Sequence, residues 1–216
     1  MKSVCIIPIK AESVRVHKKN FRLLNGVPLY EHFLNKLKKC SFDEIYVDTD
    51  NDEIKKFIEN IGFIHIHRLP ELATSQANGN DLLNYHASII EADYYFQLFI
   101  TAPLLNSETI NKAIDILKND SHHDSIFTAN EIYSWFWHQG KPVNYDPMIL
   151  PRSQDAVPII RETTGLYGIK RNALLECQCR IGQTPYMLIV DDYEAADLDT
   201  EFDFQYVEFL LKNNNC

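Results

Sequence analysis

The chain has 216 residues, enough to bury a substantial core in one domain and few for two. Hydrophobic residues make up 45% and charged residues 24%, ordinary globular usage, and no apolar run approaches the ~20 residues that cross a bilayer, so a membrane partner is not expected. A formal net charge of −9 argues against nucleic acid as a partner, since such binders carry basic patches that release phosphate counterions, but leaves anionic small substrates open if cations cluster locally.

The opening MKSVCIIPIK is a short apolar stretch ending at Pro8 and Lys10, with no small-residue cleavage site behind it, and reads as a first buried strand. Five cysteines at irregular spacing give no disulfide framework, which together with the absent leader predicts a cytoplasmic location. Residues 4–7, 44–47 and 94–99 are apolar runs of the kind found in strands covered on both faces. Between them Leu29, Phe33, Leu34 and Leu37 recur at helical spacing, as do Ile54, Phe57, Ile58 and Ile61, and later Ile110, Ala113, Ile114 and Leu117. This alternation predicts an α/β fold on a mostly parallel sheet, whose ligands sit at the carboxyl ends of the strands, after Ile7, Val47 and Phe99. His65 and His67 alternate on a further strand and read as structural.

Residues 131–158 break the pattern with SWFWHQGKPVNYDPMILPRSQDAVP. Connections beyond ~12–15 residues tend to be lids or arms, and Trp135, Phe136 and Trp137 fit either a local aromatic cluster or a dimer contact. Strands are expected again at 165–169 and 186–190, and a closing helix at about 200–211. Cys177 and Cys179 lack the second pair a zinc site needs and read as small, half-buried side chains. The reading is one domain, 1–216, with 131–158 as an inserted arm or lid.

Two segments carry candidate chemistry. Residues 10–20, KAESVRVHKKN, follow the first strand and concentrate Lys10, Arg15, Lys18 and Lys19 in an acidic protein. Such a loop can cradle a triphosphate with backbone N–H groups and lysines, or can simply be a solvated charged loop; without glycine it is neither a P-loop nor a dinucleotide fingerprint. Near the other end, ADLDTEFD spaces Asp197 and Asp199 so that, on extended chain, both carboxylates point the same way while Thr200 caps the last helix. That pair suits Mg²⁺ (or Mn²⁺), and equally fits an acidic helix N-terminus.

Together these pieces resemble the acylneuraminate cytidylyltransferases, also called CMP-sialic acid synthetases, nearly end to end. IPIKAES with Lys18, Lys19 and Asn20 is similar to that family's first strand and loop; RLPELA, TAPL, PRSQ with Arg161, and DLDTE resemble its later motifs. The resemblance implies a three-layer, Rossmann-like nucleotide-diphospho-sugar transferase fold, a homodimer joined through the arm, and transfer of CMP from CTP to an acidic 2-keto sugar. It further implies Lys19 at the α-phosphate, and CTP held by Pro8, Ile9, Lys10, Ala11, Glu12, Ser13, Asn20, Arg68 and Thr101. Gln154, Arg161 and Tyr167 would meet the sugar, and Asp197 and Asp199 the metal. The sequence departs from the pattern at Lys10, Arg15, His17, Ser75 and Leu105. GLYG at 165–168 also resembles the related 3-deoxy-manno-octulosonate cytidylyltransferases. Another sugar or nucleotide, and a catalytically inactive relative, are the alternatives.

Overall fold

A computed structural model describes residues 1–11, 16, 18–74 and 76–213. Glu12, Ser13, Arg15, His17 and Ser75, singled out above, lie outside the described residues. The first half runs β1 (Ser3–Ile9), β2 (Leu23–Leu24), β3 (Val27–Pro28), α1 (Leu29–Leu37), β4 (Glu44–Thr49), α2 (Asp52–Asn60), β5 (Ile64–His67), α3 (Gly79–Ile89) and β6 (Tyr94–Leu98). The second half runs α4 (Ser107–Asn119), β7 (Ser125–Ile132), β8 (Trp137–His138), β9 (Lys141–Pro142), β10 (Ile159–Lys170), α5 (Arg171–Cys177), β11 (Pro185–Ile189) and α6 (Glu201–Asn213).

Seven strands form one sheet in the order β11-β7-β10-β6-β1-β4-β5. β10 alone runs against its neighbours β6 and β7; the remaining pairings are parallel. In the central strand Cys5, Ile7 and Ile9 enter the core shared with α1, α2, α4 and α6, whereas Val4 and Ile6 enter a second core with α3 and α5. That two-residue alternation over two apolar faces makes the three layers. Asn51, Asn78 and Asn106 cap α2, α3 and α4 by accepting from first-turn N–H groups.

The expected strands and helices are present, and the additions are α3, α5 and β7 together with the short hairpin strands β2, β3, β8 and β9. α3 lacks a clean apolar stripe because its buried face includes His86, and β7 mixes Thr128 and Asn130 into a buried run. β10 is longer than the strand expected at 165–169, since it also carries the chain back from the arm alongside β7.

Within the arm, β8 and β9 pair around Gln139 and Gly140, both at positive φ (48 and 76), a two-residue turn whose twist suits a hairpin. Trp135 Nε1 donates to the Pro151 carbonyl at 3.1 Å and Trp137 Nε1 to the Tyr145 hydroxyl at 2.8 Å, so the aromatic cluster is organised on the arm itself. Met148, Ile149, Leu150 and Val157 remain exposed beside it.

Gly168 on β10 lies opposite Phe96 and Ile126, where an added Cβ would stand 2.5 Å from the Phe96 ring and 2.8 Å from Ile126. Gly168→Ala should therefore overpack the sheet and cost about 1–3 kcal/mol, read as a lowered melting temperature in calorimetry. An unchanged melting temperature would mean that the neighbours yield freely.

Candidate active site

The carboxyl ends of β1, β4 and β6 face one side of the molecule, and the chain leaving β1 is anchored there at both ends. Asn20 Nδ2 donates to the Lys10 carbonyl at 2.7 Å, and the Ala11 N–H donates to Asp50 Oδ1, just past β4, also at 2.7 Å. Pro8 is half-buried and the Ile9 side chain is in the core, so Ile9 offers only backbone to a ligand. Lys18 takes a left-handed conformation (φ 48) immediately before the turn Lys19–Phe21, which separates the two lysines: Lys18 is exposed and Lys19 is 8% exposed.

Lys19 Nζ crosses to the far end of the chain, donating to the Leu198 carbonyl at 2.7 Å and standing 3.5 Å from Asp199 Oδ1. Leu198 is fully buried, and its N–H donates to the Thr101 carbonyl at 2.8 Å. With Leu198 turned inward, Asp197 and Asp199 both border a cleft of about 490 Å³. Arg161, Glu162, Thr163, Thr164, Asp192 and Asp203 also line it.

Burial pushes the Asp197 carboxyl above its usual range and the Asp199 charge adds to this, while the Thr101 and Thr164 hydroxyls and Lys19 oppose it. Asp197 Oδ1 is a buried acceptor with no hydrogen-bond partner among the described residues. Thr200 and Asp203 form the cap of α6: Thr200 Oγ1 accepts from the Asp203 N–H, and Asp203 Oδ2 accepts from the N–H groups of Asp199 and Thr200. The helix start thus uses Asp203 and leaves the other two acids to the cleft.

Other candidates are placed less directly. Arg161 is exposed at the cleft, its Nη2 donating to Asn130 Oδ1 at 3.2 Å, and Asn130 in turn donates to Asp192 Oδ1 at 3.0 Å. Tyr167 is buried and does not itself line the cleft; its hydroxyl donates to Glu162 Oε1 and, at 3.2 Å, to the Thr163 carbonyl, both residues of the cleft lining. Gln154 sits exposed on the turn Ser153–Asp155 and does not line the cleft. The guanidinium of Arg68 is committed to Asp48 by contacts of 3.1 and 3.2 Å, and Asp48 also meets His86 Nε2 at 2.9 Å, all three side chains being buried. Burial alone would raise the Asp48 pKa, but these two partners hold it below its usual value. Leu105 is buried, and its carbonyl and that of Pro103 accept Lys36 Nζ, whose own pKa burial lowers to about 8.

Glu162, Asp192, Asn130 and Asp50 escaped the sequence reading. Only Asp50 carried a signal, its place shortly after the strand expected at 44–47; Glu162 and Asn130 are brought to the cleft by β10 pairing with β7, and Asp192 by β11 pairing with β7.

A family model described as cytidylyltransferase matches residues 4–196. The chain belongs to the cytidylyltransferase family. It is 26% identical to pseudaminic acid cytidylyltransferase of Campylobacter jejuni, over 100% of this chain and 98% of that protein. It is 25% identical to N-acylneuraminate cytidylyltransferase of Oncorhynchus mykiss, over 94% of this chain but 49% of that protein, so the chain spans about half the length of that relative. Among solved structures, CMP:2-keto-3-deoxy-manno-octonic acid synthetase complexed with CTP superposes with a TM-score of 0.74 at 17% identity, covering 99% of this chain and 100% of that one. The shared fold is that of these nucleotidyltransferases.

In this cytidylyltransferase the pair Arg68 and Asp48 is structural cement beneath the strand ends. Arg68→Ala should leave Asp48 under-compensated and cost about 3–5 kcal/mol of stability at neutral pH. Because the folded Asp48 pKa is depressed, the lost contribution is one present above the unfolded carboxylate pKa of ~3.9 and absent below the folded value. Denaturant melts should show the gap between variant and parent narrowing as pH falls through that region; a gap independent of pH would remove Asp48 as the cause.

Proposed function

We propose that the protein transfers CMP from CTP to the anomeric hydroxyl of an acidic 2-keto sugar of the sialic-acid-like nonulosonate type, releasing pyrophosphate. The observation that carries this reading is the buried Lys19 ammonium, lodged against Leu198 and Asp199 where the loop after β1 meets the two-aspartate segment beside the cleft. Transfer of a nucleotidyl group is largely a matter of positioning and charge neutralisation, and needs no covalent intermediate.

Lys19 would sit where negative charge grows on the α-phosphate, while Asn20 and the backbone of Lys10 and Ala11 orient the nucleotide. Arg161 offers a bidentate fork to the sugar carboxylate. Asp197 and Asp199 fit Mg²⁺ or Mn²⁺: they offer hard oxygen ligands, and Asp197 Oδ1 is buried with no hydrogen-bond partner among the described residues. No cluster of three or more His, Cys, Asp or Glu able to hold a metal occurs among the described residues, so water and phosphate oxygens would complete the shell. Bound there, the cation supplies charge neutralisation at the phosphates.

The names of the relatives favour a nonulosonate, and the structural neighbour keeps 3-deoxy-manno-octulosonate as the second reading. A homodimer is also proposed, in which residues 131–158 cross to a partner and help to close the sugar side. Its support is the apolar surface of the arm, with Met148 92% and Ile149 77% exposed, which is costly to leave in water. No helix is long and apolar enough to cross a membrane. Cys5, Cys40, Cys177 and Cys179 are free thiols, as suits the reducing cytoplasm proposed for the reaction.

Pyrophosphate release with CTP, across a panel of 2-keto acid sugars, tests the reading. Lys19→Ala should lower kcat/KM for CTP at least ~100-fold and Lys18→Ala far less; replacing Asp197 and Asp199 together with Ala should abolish turnover with little loss of melting temperature. Equal effects of the two lysines, or full activity of the double aspartate variant, would refute the assignment. Light scattering should give about twice the chain mass of 25.1 kDa at micromolar concentration, and Trp135→Ser with Trp137→Ser should yield monomers. A fully active monomeric parent would show that the arm folds back on its own subunit.

A further inference from the structure

Among the acids lining the cleft, Glu162 has a distinct setting. It follows Arg161 on β10, and its Oε1 accepts both the Tyr167 hydroxyl and Arg180 Nη2, the latter at 3.3 Å. Those donors are themselves held firmly. Tyr167 is 1% exposed, and the Arg180 guanidinium stacks over its ring at 3.6 Å from the centroid. Burial, reinforced by Glu162, keeps the Tyr167 phenol protonated far above neutral pH, so it acts as a donor throughout the working range. No hydrogen bond from a described residue falls on Glu162 Oε2, and Glu162 borders the cleft. Among the described residues it does not join Asp197 and Asp199 in a group able to hold a metal, and the α6 cap is made by Asp203.

A carboxylate pinned through one oxygen presents the other as a fixed acceptor, which can only meet a donor. Its neighbour Arg161 is a fixed donor. An anionic substrate entering this corner must therefore place its carboxylate toward Arg161 and an N–H or O–H toward Glu162, or leave a charge unpaired. We propose that Glu162 is a specificity residue that accepts a hydrogen bond from an acylamino N–H or a hydroxyl on the acid sugar. The assignment rests on the sugar-transfer reading above, and the chemistry of the donor, amide or alcohol, is what remains to be distinguished.

Steady-state kinetics with CTP and the accepted sugar test it on the full-length protein. Glu162→Ala should raise KM for the sugar by about 10-fold or more, the scale of a lost hydrogen bond to a charged acceptor, with KM for CTP changed less than ~2-fold and kcat little affected. Glu162→Gln should be at least as damaging, because Tyr167 and Arg180 would hold the amide oxygen and turn the NH₂ group, a donor, toward the substrate. Tyr167→Phe should shift the same KM by less. A sugar analogue lacking the acylamino group and one lacking the hydroxyl identify the donor: with the right one missing, parent and Glu162→Ala should converge. Wild-type behaviour of Glu162→Gln would show that the residue serves only its contact with Arg180, and an equal rise in KM for CTP would move it to the nucleotide side; either overturns the proposal. An active parent whose sugar KM is indifferent to Glu162 overturns this assignment alone, whereas a parent that releases no pyrophosphate with CTP and any acid sugar overturns the transfer reading and this one with it.

Discussion

The bond from Lys19 Nζ to the Leu198 carbonyl joins chain segments 179 residues apart, and the arrangement of the cleft depends on it. A buried ammonium requires partners, since desolvating it unpaired costs several kcal/mol. Leu198 provides one, and is itself pinned by its N–H to Thr101 and by a fully buried side chain. Held at three points, it leaves the flanking aspartates little choice but to face the cleft. The contact therefore positions a cation and two anions by a single constraint, and it ties the loop after β1 to the start of α6.

Charge explains the rest of the corner. The cleft of this acidic protein is lined by Glu162, Asp192, Asp197, Asp199 and Asp203, with Arg161 as the basic residue among its lining. Most of these acids are engaged: Asp203 with the helix cap, Asp192 with Asn130, Glu162 with Tyr167 and Arg180. Asp197 differs in having one buried oxygen that meets no hydrogen-bond partner among the described residues, and a raised pKa. A site of this kind is poor for a bare anion and good for an anion that arrives with a divalent cation.

Some side chains at the motif positions are committed to the frame. Arg68, Asp48 and His86 form a buried set linking β4, the chain after β5, and α3, so the arginine of RLPELA braces the strand ends from behind. Leu105 likewise packs in the core while its carbonyl receives Lys36 from α1. The arm shows the reverse: its aromatic residues bond to one another through Tyr145 and Pro151, yet its outer apolar side chains stay uncovered.

What the sequence by itself determined was everything carried by periodicity and local chemistry. Apolar runs and helical spacing placed β1, β4, β6, α1, α2 and α4, because burial on two sheet faces or one helix face writes a regular pattern. The alternation of Asp197, Leu198 and Asp199, with Thr200 as a cap, was likewise readable, since extended chain and helix starts are local matters. Tertiary structure alone decided what depends on pairing between distant segments. β7 and α3 were illegible because buried polar residues such as Asn130 and His86 blur the pattern, and they are tolerated only because Arg161, Asp192 and Asp48 reach them across the fold. The same holds for Glu162 and for Tyr167: whether a side chain on β10 meets the cleft, or stands one contact behind it, follows from the antiparallel register with β6 and β7, which no single-chain pattern records.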